Sequence, residues 1–415
     1  MKTLRVLYEG WGETFQLGLL ADDGHQLLFE YSDTALRRGL EFSPHAMRLQ
    51  AGARGNFPEF QSRLPGFISD SLPDGWGLLL MDRLMRRRDI DVRRLSPLDR
   101  LAFLGRRTMG ALTYQPDTEV DLSQDTVSLL ALAEESQNLI EDKSTDLLRT
   151  YVKLGGSAHG AQPKVLVNIE PDTDRAWTTE DSPGLPWMVK FPGDGEHPEV
   201  CAVEQLYADL ARMCGLAIPP TRYFELGKTE RGRMSAFGAQ RFDRDQGRRV
   251  PIHTAAGAAH VDFRLPSSLD YLTLLRLTQK ITRDVREVEV AFERCVFNVI
   301  FNNRDDHPKN FSFRMEENGQ WRVSPAYDLT FNRGAGGEHH MDVCGESRDI
   351  SGQAVLKLAR QADIRESRAR QIIDRMAEVA GRVRAVATAY PLRNATVREI
   401  ASAIEANRDR VAGSG

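Results

Sequence analysis

A chain of 415 residues with 41% hydrophobic and 27% charged residues is long enough for two or three packed units, and nothing in its composition suggests disorder. Its formal net charge of −4 argues against strong nucleic-acid binding by the chain as a whole. No apolar run approaches the roughly 20 residues that a membrane span requires, and Met1 to Arg5 leads into a strand with no apolar signal region, so a cytoplasmic protein with no membrane partner is expected. Cys201, Cys214, Cys295 and Cys344 show neither C-x-x-C pairing nor metal spacing and fit reduced, mostly buried thiols.

In chain order, the first part opens with strands, among them Gln16 to Leu20 and Gln26 to Tyr31 around the turn Asp22-Asp23-Gly24. It continues as a helical stretch from Asp74 to Phe103. The acidic segment Asp117 to Asp146 is amphipathic, with Leu129, Leu130, Leu132 and Ala133 on one side. A β-rich part follows: a small-residue loop, Ser157 to Lys164, runs into a strand over Val165 to Ile169. A second strand covers Trp187 to Pro192, a helix Val200 to Met213, and Met234 to Gln240 is a mostly apolar run. After Asp243 the pattern turns helical, with helices expected over Tyr271–Ile281, Arg286–Ile300, Gly352–Ala362, Arg365–Tyr390 and Thr396–Val411. The expectation is an α+β chain in three parts, 1–115, 116–240 and 241–415.

The loop before the Val165 strand carries the first chemistry. Glycine lets backbone N–H groups approach phosphate oxygens, so Ala158, His159, Gly160, Ala161 and Gln162, with Lys164 at the strand entry, are candidate nucleotide contacts. The loop is neither a Walker motif nor a full G-x-G-x-x-G, and a flexible linker is the plain alternative. Lys190 is a candidate nucleotide lysine, although a strand lysine is usually a solvated edge residue. Glu204 on the following helix supports it, or is an ordinary helix-start glutamate answering the macrodipole. Loop, strand lysine and helix glutamate in that order are the ATP-holding elements of a kinase N-lobe. Gln240, Arg241, Phe242 and Asp243 fall where a kinase hinge presents backbone groups to adenine; an ordinary strand end explains that spacing equally well.

The second half carries Asn303-Arg304-Asp305-Asp306-His307-Pro308-Lys309-Asn310, in which Asp305 stands five residues before Asn310. That is the spacing of a kinase catalytic loop, whose Asp accepts the substrate hydroxyl proton and whose Asn reaches a Mg2+. Short strands over Phe311–Phe313 and Trp321–Val323, joined by the turn Glu316 to Gly319, would return Asp328 to Asn310 as a second metal ligand. His307 and Lys309 are candidate nucleotide contacts within the loop, His307 also as a brace for it. Asp and Asn cluster in turns for purely local reasons; the apolar run Val296 to Phe301 before the loop and the strand after it are what favour a site.

Together these residues resemble the HipA family, the serine/threonine kinase toxins of bacterial toxin–antitoxin modules. The family's S-x-x-G-A-Q-x-K loop stands here as Ser157 to Lys164, its ATP lysine as Lys190 and its R-F-D-R hinge as Arg241 to Arg244. Its N-x-D-D-H-x-x-N loop stands as Asn303 to Asn310, its Y-D metal turn as Tyr327-Asp328, and its L-P-D segment as Leu72-Pro73-Asp74. Arg304 and the doubled His339-His340 look like features of this individual chain.

The resemblance implies a remote protein-kinase-like bilobal fold, with a β-rich N-terminal part and ATP lobe followed by a mainly α-helical lobe. It further implies ATP and Mg2+ as cofactors, autophosphorylation at Ser157, and a protein substrate such as an aminoacyl-tRNA synthetase. The implied partner is a HipB-like helix-turn-helix antitoxin, with DNA reached only through that complex. Twelve Lys or Arg against seven Asp or Glu between Val355 and Gly415 read as solvated helix faces, or else as contact to that DNA. Two other functions remain open on the residues: a small-molecule or lipid kinase, and a non-catalytic co-repressor subunit of an antitoxin complex.

Overall fold

The computed structural model describes residues 1–117, 126–140, 148–155, 159–171, 175–179, 182–229 and 232–413. They divide into two compact units: a β-rich one of Met1–Cys201, Arg222–His253 and Arg314–Gly319, and a mainly helical one of Ala202–Thr221, Thr254–Phe313 and Gln320–Gly415.

The β-rich unit holds two sheets. In the first, β1 (Lys2–Gly10), β2 (Glu13–Asp22), β3 (Leu27–Tyr31) and β4 (Leu112–Gln115) are antiparallel in the order β3-β2-β1-β4. The β2–β3 turn forms as its residues dictate, since Asp23 Oδ1 accepts the N–H groups of His25 and Gln26 and Gly24 takes φ +92°. The buried side of the sheet is aromatic, with Phe29 against Tyr31 at 4.9 Å between ring centroids and Phe42 against Phe67 at 5.4 Å.

The helical stretch expected from Asp74 to Phe103 is broken. One helix spans Gly75–Arg86 and another Pro97–Leu104, with a single 3-10 turn at Val92–Arg94 between them. Asp89 adopts a left-handed φ of +59°, which ends the first helix. Ser96 and Asp99 then start the second with a capping box, each side chain bonding the other's backbone N–H, and Pro97 sits at the first helical position.

The second sheet runs β5 (Thr126–Ser128), β7 (Arg175–Trp177), β6 (Lys164–Ile169), β8 (Leu185–Lys190), β10 (Gly232–Gln240) and β9 (Thr221–Thr229). Of the acidic amphipathic segment, Leu129–Ile140 is helical, with Leu129, Leu132 and Ala133 buried and Leu130 half-buried; 118–125 and 141–147 lie outside the described residues.

In the helical unit, Val285–Ile300 is the central helix. It starts on an Asp284 cap and buries residues around its whole circumference from Ala291 to Ile300, as a helix wrapped by neighbours must. Tyr271–Thr282, Glu366–Ala380 and Asn394–Ala412 pack against it, and Gly352–Gln361 packs against those three. The single helix expected over Arg365–Tyr390 is two, Glu366–Ala380 and Val383–Ala387, divided at Gly381, where the side chain that favours helix is missing. Among the described residues no helix is long and apolar enough to cross a membrane. A β-rich unit and a helical unit in this chain order are the α+β organisation expected.

Candidate active site

The helical unit carries the acidic candidate residues. The central helix ends at Ile300 and hands the chain to Asn302, which takes φ +55°, a conformation asparagine tolerates better than most residues. Asn302 is pinned on both sides: its Nδ2 donates to the Asn332 carbonyl at 3.0 Å and its Oδ1 accepts from Asn407 at 3.1 Å. From there the loop is organised by one buried carboxylate, that of Asp306. Its Oδ2 accepts from the Tyr271 hydroxyl at 2.7 Å and pairs with His339 Nδ1 at 2.9 Å, while its Oδ1 accepts the His340 N–H at 2.7 Å. The chain extends through Asn298, which donates to the Tyr271 hydroxyl and accepts from Asn303, both at 3.0 Å. Burial alone would push the Asp306 carboxyl up, but the His339 imidazole and the hydrogen bonds from Tyr271 and His340 outweigh it and hold it below the ordinary carboxylate range.

With Asp306 anchored inside, the adjacent Asp305 points the other way, its side chain 49% exposed. Asn310 closes the loop on it, donating from Nδ2 to the Asp305 carbonyl at 2.8 Å, which leaves the amide oxygen as the ligating atom of that side chain. The Asp305 carboxyl is pushed above its ordinary value by partial desolvation and by the negative fields of Asp328 and Asp306, against the pull of His307, whose Nε2 lies 3.8 Å away. Asp328 itself sits at φ +57°, a left-handed kink at the Tyr-Asp turn. The Tyr327 hydroxyl positions that turn by donating to the Lys309 carbonyl at 2.6 Å.

The expected strands around the turn are present as Ser312–Met315 and Trp321–Val323. His307 Nδ1 and His340 Nε2 are buried without a hydrogen-bond partner, and the two rings lie 5.7 Å apart. Burial and the neighbouring His307 lower the His340 pKa. Lys309 Nζ stands over the Phe263 ring at 4.4 Å. Hard oxygen donors from Asp328 and Asn310 suit Mg2+, which usually takes one or two protein ligands beside substrate phosphates. Among the described residues there is no group of three or more His, Cys, Asp or Glu side chains that could hold a metal by itself.

The β-rich unit carries the basic candidate residues. β8 lies between β6 and β10, so Lys190 is a central-strand residue and not the edge lysine that would be the ordinary alternative. In the β6–β8 register Lys164 is directly opposite Lys190. Cross-strand partners project to the same face, so two lysines that are far apart in sequence stand side by side, 4% and 7% exposed. Lys164 Nζ also reaches back to donate to the His159 carbonyl, tying the glycine loop to its own strand. His159, Gly160, Ala161 and Gln162 are described; Ser157 and Ala158 lie outside the described residues. Glu204 is buried in the Glu199–Met213 helix, which belongs mainly to the other unit.

The predicted hinge behaves differently from a row of open backbone groups. Asp243 is buried, with Arg241 in a two-pronged pair at 2.9 and 2.8 Å and Arg244 at 2.8 Å, and it also accepts the Gly110 N–H at 2.8 Å. Burial raises its pKa, but the two guanidinium groups hold it far below the carboxylate range. The Arg241 N–H donates to the Pro186 carbonyl and the Asp243 carbonyl accepts the Val250 N–H, while Gln240 is the last residue of β10, opposite Trp187 of β8. The Arg-Phe-Asp-Arg motif is therefore an internal brace.

The chain matches two family models, the HipA N-terminal domain over residues 9–115 and the HipA-like C-terminal domain over residues 156–383. The chain belongs to the HipA family. A solved structure of the Shewanella oneidensis MR-1 toxin–antitoxin system HipA, HipB and its operator DNA matches over 98% of this chain and 97% of that chain, at 18% identity and a TM-score of 0.72. The Helicobacter pylori proinflammatory kinase CtkA aligns over 56% of this chain and 90% of that one, at 13% identity and a TM-score of 0.34.

For this HipA-family chain, sequence reading missed the residues that hold the acidic loop together: Asp306, Tyr271, Asn298 and His339. His339 and His340 had been set aside as individual features, yet both bind Asp306. The available signal was the doubled Asp305-Asp306, of which the kinase-loop spacing uses only Asp305 and leaves Asp306 without a role; here Asp306 is buried and hydrogen-bonded. The C-terminal basic excess is largely paired internally: Arg384 with Glu405, Arg370 and Arg360 with Glu366, Arg375 with Glu293, Arg410 with Asp349.

Proposed function

We propose that this HipA-family chain is an ATP- and Mg2+-dependent protein serine/threonine kinase, the toxin of a toxin–antitoxin pair. The observation that carries the reading is the acidic loop of the helical unit. Asp306 is locked inside so that Asp305 faces out, Asn310 closes on it, and partial burial together with the field of Asp328 raises the Asp305 carboxyl above its ordinary value. A bound Mg2+ would offset the charge of the ATP phosphates, with Asn310 and Asp328 as its protein ligands. Asp305 accepts the hydrogen bond of the incoming substrate hydroxyl and takes its proton as the oxygen attacks. The paired Lys164 and Lys190 supply positive charge to the nucleotide phosphates, and the His159–Gln162 loop supplies backbone N–H groups.

The family supports a protein substrate among translation components such as an aminoacyl-tRNA synthetase, and autophosphorylation at Ser157 as the off-switch. The HipA, HipB and operator DNA complex supports a helix-turn-helix antitoxin as partner, through which DNA would be met. The test is to copurify the chain with its neighbouring gene product and offer Mg-ATP labelled in the γ-phosphate together with a cell lysate. Label on protein serine or threonine, abolished in Asp328→Asn, is the expected result. Label confined to lipid or small molecules, or label retained in folded Asp328→Asn, would refute it.

A further inference from the structure

Asp74 occupies the cap position of the Gly75–Arg86 helix, where an Asp ordinarily accepts N–H groups of its own first turn. It makes no such bond. Its Oδ1 instead accepts the N–H of Gly160, in the glycine loop 86 residues away in sequence. The Trp76 N–H, one of the donors a helix start leaves unpaired, goes to the Gly160 carbonyl at 3.0 Å, so both backbone groups of Gly160 are held by one helix end. His159 Nε2 donates to the Leu72 carbonyl at 3.0 Å and completes the grip. The approach requires bare backbone: Gly75 has φ +43°, and a Cβ there would lie 2.5 Å from the Gly160 oxygen.

The same helix also holds the chain on the other side of the loop. The Trp76 ring meets Tyr151 edge-on at 6.2 Å, and a Cβ on Gly155 would rest against Leu80 at 3.5 Å.

We infer that Leu72–Trp76 is a clasp that presets the glycine loop for nucleotide phosphates, with Asp74 as a positioning residue for ATP binding; this rests on the kinase reading above. A loop already held in its binding geometry loses less conformational freedom when the nucleotide arrives. An N-cap carboxylate turned away from its own helix to the loop is the feature that simple packing of the two segments leaves unexplained.

The experiment uses the full chain. Asp74→Ala removes the acceptor, whereas Asp74→Asn keeps an oxygen in the same place. For Asp74→Ala the expected result is a rise of about tenfold in both the Kd of a fluorescent Mg-ATP analogue and the KM for ATP. Its kcat at saturating ATP should stay near wild type, and amide exchange over 159–164 should be faster. Asp74→Asn should restore all three. His159→Ala, which releases the grip from the loop side, should move KM and exchange in the same direction and keeps the test open if Asp74→Ala does not fold. Unchanged KM and exchange in folded variants, or a loss confined to kcat, would overturn the clasp while leaving the kinase reading intact. Wild-type protein that binds no Mg-ATP would overturn that reading and this role with it.

Discussion

Removing the Asp306 carboxylate should unfold the helical unit's site more than any change at Asp305. Asp306 is 0% exposed and satisfies three donors or charges at once, from Tyr271, His339 and His340. In Asp306→Ala those groups stay buried without a partner, each at a cost of about 1–3 kcal/mol. Because they share one acceptor and can partly relax together, the whole is closer to the ~3–5 kcal/mol typical of breaking a buried pair than to the sum. For a unit of this size a loss of that order lowers Tm by roughly 6–20 °C.

Asp306→Asn should recover only part, since its amide N–H₂ would face donors that the carboxylate now accepts. The pH dependence gives a second reading. The folded-state pKa of Asp306 lies below the ordinary 3.8, so its contribution is present in full at neutral pH and is lost as pH falls from about 3.8 through the folded value. Differential scanning calorimetry of wild type and both variants, at neutral pH and in acid, measures this. A Tm drop under a few degrees for Asp306→Ala at neutral pH, or a gap between wild type and variant that does not narrow in acid, would refute the argument.

The neighbouring acid should respond in the opposite sense. Asp305 is raised by desolvation and by Asp328, so its protonated form is the one folding favours, and the stability it contributes in acid is lost as pH rises through its folded-state pKa. Asp305→Asn should therefore melt higher than wild type at neutral pH and equally in strong acid, while phosphotransfer disappears; an Asp305→Asn that melts lower at neutral pH would contradict the repulsion. Lys190→Met keeps the central-strand packing but removes a charge from the Lys164–Lys190 pair, so KM for ATP should rise about tenfold with little loss of Tm, as read by steady-state kinetics and thermal melts. Arg384 is committed to Glu405 at 2.9 and 3.1 Å. Arg384→Glu should leave the salt dependence of operator binding by an antitoxin complex unchanged, and a slope smaller by about 0.9 would instead mark Arg384 as a phosphate contact.

What could be read from sequence and what could not divides along distance in the chain. The Asp305 to Asn310 loop was legible because its spacing, the apolar helix before it and the strand after it all lie within about one helix and one turn of each other, where local rules operate. The Ser96-Pro97-x-Asp99 cap that divides the expected Asp74 to Phe103 stretch is equally local. By contrast, the Lys164–Lys190 pairing depends on a β register, and a slip of one residue would turn Lys190 to the other face of the sheet.

The grip of Asp74 on Gly160 depends on two segments 86 residues apart meeting, which no spacing within either one announces. The same divide explains why the doubled acid was read incompletely for structure. A catalytic Asp and a buried Asp have the same letter, and they differ only in what the rest of the chain brings to them. Tyr271, His339 and His340 bring Asp306 its donors from elements before and after the loop, and by taking it inward they leave the outward position to Asp305. The orientation of the proposed proton acceptor is in this sense set by its neighbour, so a substitution at Asp306 too mild to unfold the unit should still lower kcat more than it raises KM for ATP.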